Sequence, residues 1–218
     1  MSGITYDYME QYIRSLISSN EGILKEMEDY AKENSVPIIQ KEVGKFLELM
    51  INIKKPVKIL ELGTAIGYSA ILMHISGSCS NNITTIERNN DMVNIARENI
   101  NKYGYNDNIE VLEGDCLEIL EKLQDKYDFI FMDAGKGHYN HFLPHCLRLL
   151  KNDGIIVADN VLFKGMVASR DLLIRRKITI VKRMKTYLEM VSSNNELITS
   201  VLPMGDGIAV TTRRHNND

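Results

Sequence analysis

Lys58-Ile59-Leu60-Glu61-Leu62-Gly63-Thr64-Ala65-Ile66-Gly67-Tyr68-Ser69 is the stretch that decides the fold. A short apolar run carries one acidic residue and breaks at a glycine. A second glycine comes four residues later, and apolar positions then resume at helical spacing. Strand, tight turn and helix succeed one another, and the glycines let the backbone come close to a ligand.

The pattern repeats downstream. Strands are expected at 57–62, 82–87, 109–113, 127–132 and 154–158, with helices at about 67–76, 89–103, 116–124 and 138–151. Alternation of this kind predicts a mostly parallel sheet covered on both faces. A long helix is expected from about 168 to 193, then strands at 196–202 and 207–212. Met204-Gly205-Asp206-Gly207 forms the turn between those two strands, so the last strand runs antiparallel to its neighbour.

Upstream, residues 4–54 read as helical. One helix spans Ile4 to Ile17. A second, capped by Asn20, runs through Ile23, Leu24, Met27 and Tyr30. A third runs through Val43, Phe46, Leu47, Met50 and Ile51 to Lys54-Lys55-Pro56. Val36-Pro37 separates the last two, because proline restricts the residue before it. Packing on the sheet, a lid and a dimer surface are all open roles for these helices. The expected organisation is one domain over 1–218, with 1–54 a helical extension and 55–218 the α/β core.

At 218 residues, with 44% hydrophobic residues, the chain can bury a sizeable core. Its net charge of −3 gives no global basic footprint for nucleic acid. Cys79, Cys116 and Cys146 are scattered, which suits a reducing cytosol and gives no disulfide framework. With no leader and no apolar run long enough to span a bilayer, the expectation is a cytoplasmic protein without membrane contact.

Open parallel sheets bind ligands at the carboxyl ends of their strands. Those ends carry Glu61 and Gly63, Glu87, Asp115 and Cys116, Asp133, and Asp159 with Asn160. A dinucleotide fingerprint needs G-x-G-x-x-G. Here Ala65 and Tyr68 stand where its second and third glycines belong, so NAD is disfavoured. Glu87 can accept both hydroxyls of a ribose, and Asp115 can reach an adenine amino group. Glu61 adds negative charge suited to a cationic group. An adenosine with a positive, phosphate-free tail fits this set, and S-adenosylmethionine is that molecule.

With Asp133 and Asp159-Asn160 added, the run from Glu61 to Ser69 resembles the metal-dependent O-methyltransferases of the catechol and caffeoyl-CoA type. Within them, Gly63 to Ala70 and Asp159 to Gly165 most resemble the bacterial tRNA 5-hydroxyuridine methyltransferases. The resemblance spans about residues 30–212. It implies a Rossmann-like, seven-stranded class I methyltransferase sheet, mostly parallel with one antiparallel strand. It implies cofactor contacts near Ile39 and at Glu61, Gly63, Ser69, Glu87 and Cys116, with Asp133 beside them. It also implies metal ligation by Asp133, Asp159 and Asn160, and a homodimer. Lys136 matches the general base of the catechol enzymes.

Two carboxylates and an amide suit Mg²⁺ or another hard divalent cation, which prefers about six oxygens. Such a centre wants an acceptor hydroxyl beside a second oxygen, and both catechols and 5-hydroxyuracil offer that. Between Val161 and Leu188, eight basic residues stand against Asp171 alone; they include Lys164, Arg175, Arg176 and Lys177. That run suits a phosphate backbone, although a solvated helix face explains it as well. Catechol enzymes carry a glutamate shortly after the matching Asp-Gly, whereas Asp206-Gly207 here leads into Ile208-Ala209. The expected activity is therefore methylation of tRNA 5-hydroxyuridine to 5-methoxyuridine. The alternatives are a small-molecule phenol or catechol methyltransferase and a non-catalytic RNA- or nucleotide-binding protein. His138 and Tyr139 either line the substrate pocket or start a helix.

Overall fold

The computed structural model describes residues 4–214, so the two ends of the expected 1–218 range fall outside the described residues. Three helices come first: α1 (Asp7–Ser15), α2 (Gly22–Glu33) and α3 (Lys41–Lys54). The core then alternates β1 (Lys58–Leu62), α4 (Tyr68–Ser76), β2 (Asn82–Glu87), α5 (Asn90–Lys102), β3 (Ile109–Glu113), α6 (Cys116–Lys122), β4 (Tyr127–Met132), α7 (Tyr139–Leu149) and β5 (Leu150–Ala158). It closes with α8 (Ile178–Ser193), β6 (Leu197–Leu202) and β7 (Ile208–Arg213).

The seven strands form one sheet in the order β3-β2-β1-β4-β5-β7-β6. The first five are parallel, and β7 runs antiparallel to both β5 and β6. The sheet therefore has the class I methyltransferase form. Its order reverses between β1 and β4, which opens a crevice above their carboxyl ends. The two-residue strand period separates the faces. Ile59, Phe129, Phe131 and Val157 pack under α2 to α5. Leu60, Leu62, Ile130, Met132 and Ile156 pack under α6 to α8. β4 is buried along its whole length, including Asp128. That carboxylate accepts from the backbone N–H of Val57 and Lys58 at 3.1 and 2.8 Å, and from Lys151 Nζ at 2.8 Å, which pins the start of β1.

Two expectations are corrected. Residues 168–174 are not helical; α8 begins at Ile178, after a 3₁₀ turn over Arg175–Lys177. Leu172 and Ile174 are 51% and 48% exposed, so a helix there would bury no apolar face to stabilise it. Phe163, Lys164 and Gly165 before it hold positive φ of 45°, 55° and 74°, and Phe163 and Met166 pack on Val181 as a small separate cluster. Asn20 does not cap α2, since Glu21 occupies that position. The Asn20 amide turns inward instead, to Glu28 and Tyr68. The N-terminal helices pack on the core: α3 and α2 lie against α4, and α1 lies against α3. Tyr6, Tyr8, Tyr12 and Leu16, in and beside α1, remain exposed. Among the described residues no helix is long and apolar enough to cross a membrane.

Candidate active site

A cavity of about 710 Å³ lies over the carboxyl ends of the strands. One part of its wall is the loop from Gly63 to Gly67. Gly63 sits at φ +100°, and a Cβ there would stand 3.0 Å from the Asp133 carbonyl, so the close approach of β1 to β4 requires glycine. Gly67 hands over to α4 at φ +86°. Between them Ala65 is also left-handed, at φ 44°. The loop is held from outside: Ala65 N–H donates to Glu87 Oε2 at 3.1 Å, and Asn99 Nδ2 donates to the Ile66 carbonyl at 2.9 Å. Glu87 Oε1 accepts from the N–H of Arg88 and Asn89, both at 2.9 Å.

Ile39, Gly63, Ser69, Glu87, Asp115, Cys116 and Asp133 all line this cavity. Asp115 also caps α6, accepting from Leu117 N–H at 2.8 Å. Burial pushes the Cys116 thiol up to about 12, so it offers a small apolar surface and no nucleophile. Glu61 departs from expectation, because it is fully buried and does not line the wall. Thr85 Oγ1 donates to its Oε2 at 2.5 Å and accepts in turn from Thr64 Oγ1 at 2.6 Å. Burial raises the Glu61 carboxyl to about 7, against the pull of the Ser69 and Thr85 hydroxyls. Ser69 is near enough to favour the charged form, yet Oε1 has no partner at hydrogen-bonding geometry. A buried carboxylate oxygen left without a partner is costly, and positive charge on a ligand in the neighbouring cavity would offset that cost through the wall. The residues thus fit an adenosine with a positive tail.

The other part of the cavity holds Asp133, Lys136, Asp159 and Asn160. Asp133 and Asp159 stand on adjacent parallel strands, at the ends of β4 and β5. Asp133 N–H donates to the Leu62 carbonyl and Asp159 N–H to the Met132 carbonyl, both at 2.9 Å. Asp133 faces the cavity, while Asp159 is 2% exposed. Desolvation is the main cause that holds both carboxyls well above the usual carboxylate range; Glu61 adds to the shift of Asp133 and Asp133 to that of Asp159, and Lys136 opposes both. Asn160 comes next at φ 60°, a conformation asparagine tolerates better than most residues. Among the described residues no three His, Cys, Asp or Glu side chains are grouped for a metal. The donor set here is two carboxylates and one amide, all oxygen. Two crowded buried carboxyls with a third oxygen donor beside them fit a hard divalent cation and not zinc.

Three residues take site roles other than the ones the sequence suggested, and of the two readings of Tyr139 the structure gives the helix start. Tyr139 is fully buried at the start of α7 and does not line this cavity. Its hydroxyl lies 2.9 Å from the Met132 carbonyl and 3.1 Å from the Asp159 carbonyl, sharing its one proton between the strand ends that carry the two aspartates. Asp206 lines the cavity and accepts from Lys164 N–H, tying the hairpin turn to the loop after Asn160. Tyr68 lines the wall beside the glycine loop. His138 does line the cavity, stacked on Phe142 with centroids 6.1 Å apart, and desolvation lowers its pKa. Within the basic run after Val161, only Lys164 reaches the cavity. Arg175 and Arg176 are exposed, and Lys177 Nζ lies 5.9 Å from the Phe163 ring centre.

The O-methyltransferase family model matches residues 15–214. A catechol O-methyltransferase of Niastella koreensis is 27% identical over 210 residues, covering 94% of this chain and 93% of its own. A crystal structure of a candidate caffeoyl-CoA O-methyltransferase from Staphylococcus aureus superposes with a TM-score of 0.87 at 31% identity, covering 95% of this chain and all of that one. A Bacillus cereus O-methyltransferase, solved with S-adenosylhomocysteine, gives a TM-score of 0.83 at 26% identity, covering 95% and 97%. With the sheet order, the strand-end residues and this match over nearly its whole length, the chain belongs to the O-methyltransferase family.

Proposed function

We propose that this protein methylates, from S-adenosylmethionine, a hydroxyl that has a second oxygen on the neighbouring carbon, in a small catechol-type phenol. The observation that carries this reading is the meeting of Asp133, Asp159, Asn160 and Lys136 in the same cavity as the adenosine-type residues. The names of the relatives favour the same acceptor class. S-adenosylmethionine supplies the methyl group on a sulfonium. Asp133, Asp159 and Asn160 would hold a divalent cation, Mg²⁺ by the hardness of the donors, which would supply positive charge to favour ionisation of the acceptor hydroxyl. Lys136 Nζ takes the hydroxyl proton. Glu61, buried behind the wall, sets a negative charge under the positive end of the cofactor, and Glu87 orients the ribose. Phe142 and Ile39 keep water from the reacting atoms. Catalysis is then mostly positioning and charge balance.

The test is mass spectrometry of products after incubation with S-adenosylmethionine and Mg²⁺. One arm offers a simple catechol, and the other offers tRNA containing 5-hydroxyuridine. Methylated catechol that disappears with EDTA is expected. Undiminished transfer in EDTA would overturn the metal reading. Tyr139→Phe removes the hydroxyl shared by the two aspartate-bearing strand ends, so Mn²⁺ affinity measured by calorimetry should weaken about tenfold.

The basic run favours a second reading, methylation of tRNA 5-hydroxyuridine, whose O5 lies beside O4. None of Lys164, Arg170, Arg175, Arg176, Lys177, Lys182 and Lys185 forms a salt bridge among the described residues. Unpaired cations beside a cavity suit phosphates. If that reading holds, reversing Arg175 and Arg176 to glutamate lowers tRNA methylation about tenfold or more and spares small phenols. Equal loss on both acceptors would remove the basis for this reading.

A further inference from the structure

The cofactor loop is a strained element. Gly63, Ala65 and Gly67 all hold positive φ, and at Ala65 the side chain makes that conformation unfavourable. Such a loop keeps its shape only when its surroundings over-determine it. Two of its clamps come from the α/β core: Glu87 holds the Ala65 N–H, and Asn99 holds the Ile66 carbonyl. Another comes from outside the core. Tyr68, the first residue after the loop, donates its hydroxyl to Glu28 Oε1 on α2 at 2.7 Å. Asn20 Nδ2 donates to the same carboxylate oxygen at 2.7 Å and reaches Tyr68 Oη at 3.2 Å. Tyr68 is 5% exposed, so this hydroxyl is shielded from bulk water, and desolvation together with Glu28 pushes its pKa above the usual range.

We propose that Glu28 and Asn20 are positioning residues for the cofactor, acting through Tyr68 on the glycine loop. The N-terminal helices thereby become a working part of the cofactor site. The segment between α2 and α3 also supplies Pro37, Ile38 and Ile39 to the same cavity wall. The latch leaves the acceptor half of the cavity untouched, because Asp159 and Asn160 stand on other elements. Loosening it therefore acts on cofactor affinity alone. A hydrogen bond to a charged carboxylate contributes more than a neutral one, so its loss is felt even in a folded protein.

This inference rests on the S-adenosylmethionine reading. Its test is calorimetric binding of S-adenosylhomocysteine to the full chain, with no acceptor and no metal present. Tyr68→Phe, Glu28→Gln, the double variant and the wild-type protein are compared. Tyr68→Phe is expected to weaken binding roughly tenfold, Glu28→Gln to weaken it in the same direction, and the double variant to bind no worse than Tyr68→Phe alone. In turnover assays KM for the cofactor rises while kcat at saturating cofactor and KM for the acceptor stay put. A merely structural role would instead lower the thermal midpoint without that split. Should Tyr68→Phe fail to fold, Glu28→Gln, half-exposed on α2, carries the comparison. Variants that bind as the wild type does, or singles whose losses add in the double, would overturn the latch. A wild-type protein that binds no S-adenosylhomocysteine would overturn the cofactor reading and the latch with it.

Discussion

Asp159→Ala should abolish methyl transfer while S-adenosylhomocysteine still binds. Asp159 lies in the part of the cavity away from the glycine loop, at the end of β5, and none of the adenosine-type residues hydrogen-bonds to its side chain. Removing its carboxyl takes away one of the two charged donors for the cation. Charge stabilisation of several kcal/mol corresponds to roughly a thousandfold in rate. The fold should tolerate the change. The carboxyl is buried and held in an unfavourable electrostatic setting beside Asp133, so its loss relieves repulsion as well as removing the 2.6 Å bond from Asn160 N–H. Steady-state kinetics beside calorimetry decides the matter. Retained turnover would show that Asp159 serves only the turn after β5, and weakened cofactor binding would show that the two halves of the cavity are not separable.

Lys136→Met should lower kcat by about a hundredfold to ten-thousandfold, the usual worth of a general base. Methionine keeps much of the aliphatic stem, so packing of the turn is preserved, and the cation and cofactor should bind as before. Lys136→Arg separates two roles. Arginine restores positive charge next to Asp133 but cannot give up a proton at any working pH. If Lys136 is the base, the arginine variant stays as slow as the methionine one. Recovery of activity in Lys136→Arg would show instead that the residue acts only as a counter-charge to the carboxyl pair. The turn that carries Lys136 is held by Arg183 Nη1, which donates to the Gly137 carbonyl at 3.1 Å.

Much of the fold is legible in the sequence because each parallel strand is a short apolar run that stops at a polar residue, and each stop is a strand end in the structure. Glu87, Asp133 and Asp159 are of this kind. The helix expected over 168–193 starts late because spacing alone does not reveal whether an apolar face has anything to pack on. Leu172 and Ile174 stay about half exposed and bury no face there. Asn20 stands where a cap would suit, but a long-range pair with Glu28 and Tyr68 outweighs the local bond. The hydrogen bonds by which Tyr139 and Asp206 serve the site are invisible in sequence for the same reason. Their partners, Met132, Asp159 and Lys164, are distant or unremarkable in sequence, and only the closed sheet brings them together. Glu61 stands out in sequence as a charge at a strand end, but its full burial against Thr85 is a matter of the neighbouring strand, which no local pattern announces.

The hairpin turn before β7 bears on how such an enzyme can change its acceptor. Val161 and Leu162 donate their N–H groups to the carbonyls of Gly207 and Asp206 at 2.9 and 3.0 Å, and a Cβ at Gly207 would collide with the Leu162 side chain and backbone. The chain is thus stitched down immediately after Asn160. The segment from Phe163 to Lys177 rests on its own small cluster with Met166 and Val181 and contributes only Lys164 to the cavity. Changes in its length, charge or apolar tip would therefore leave Asp133, Asp159 and Asn160 in register beneath it.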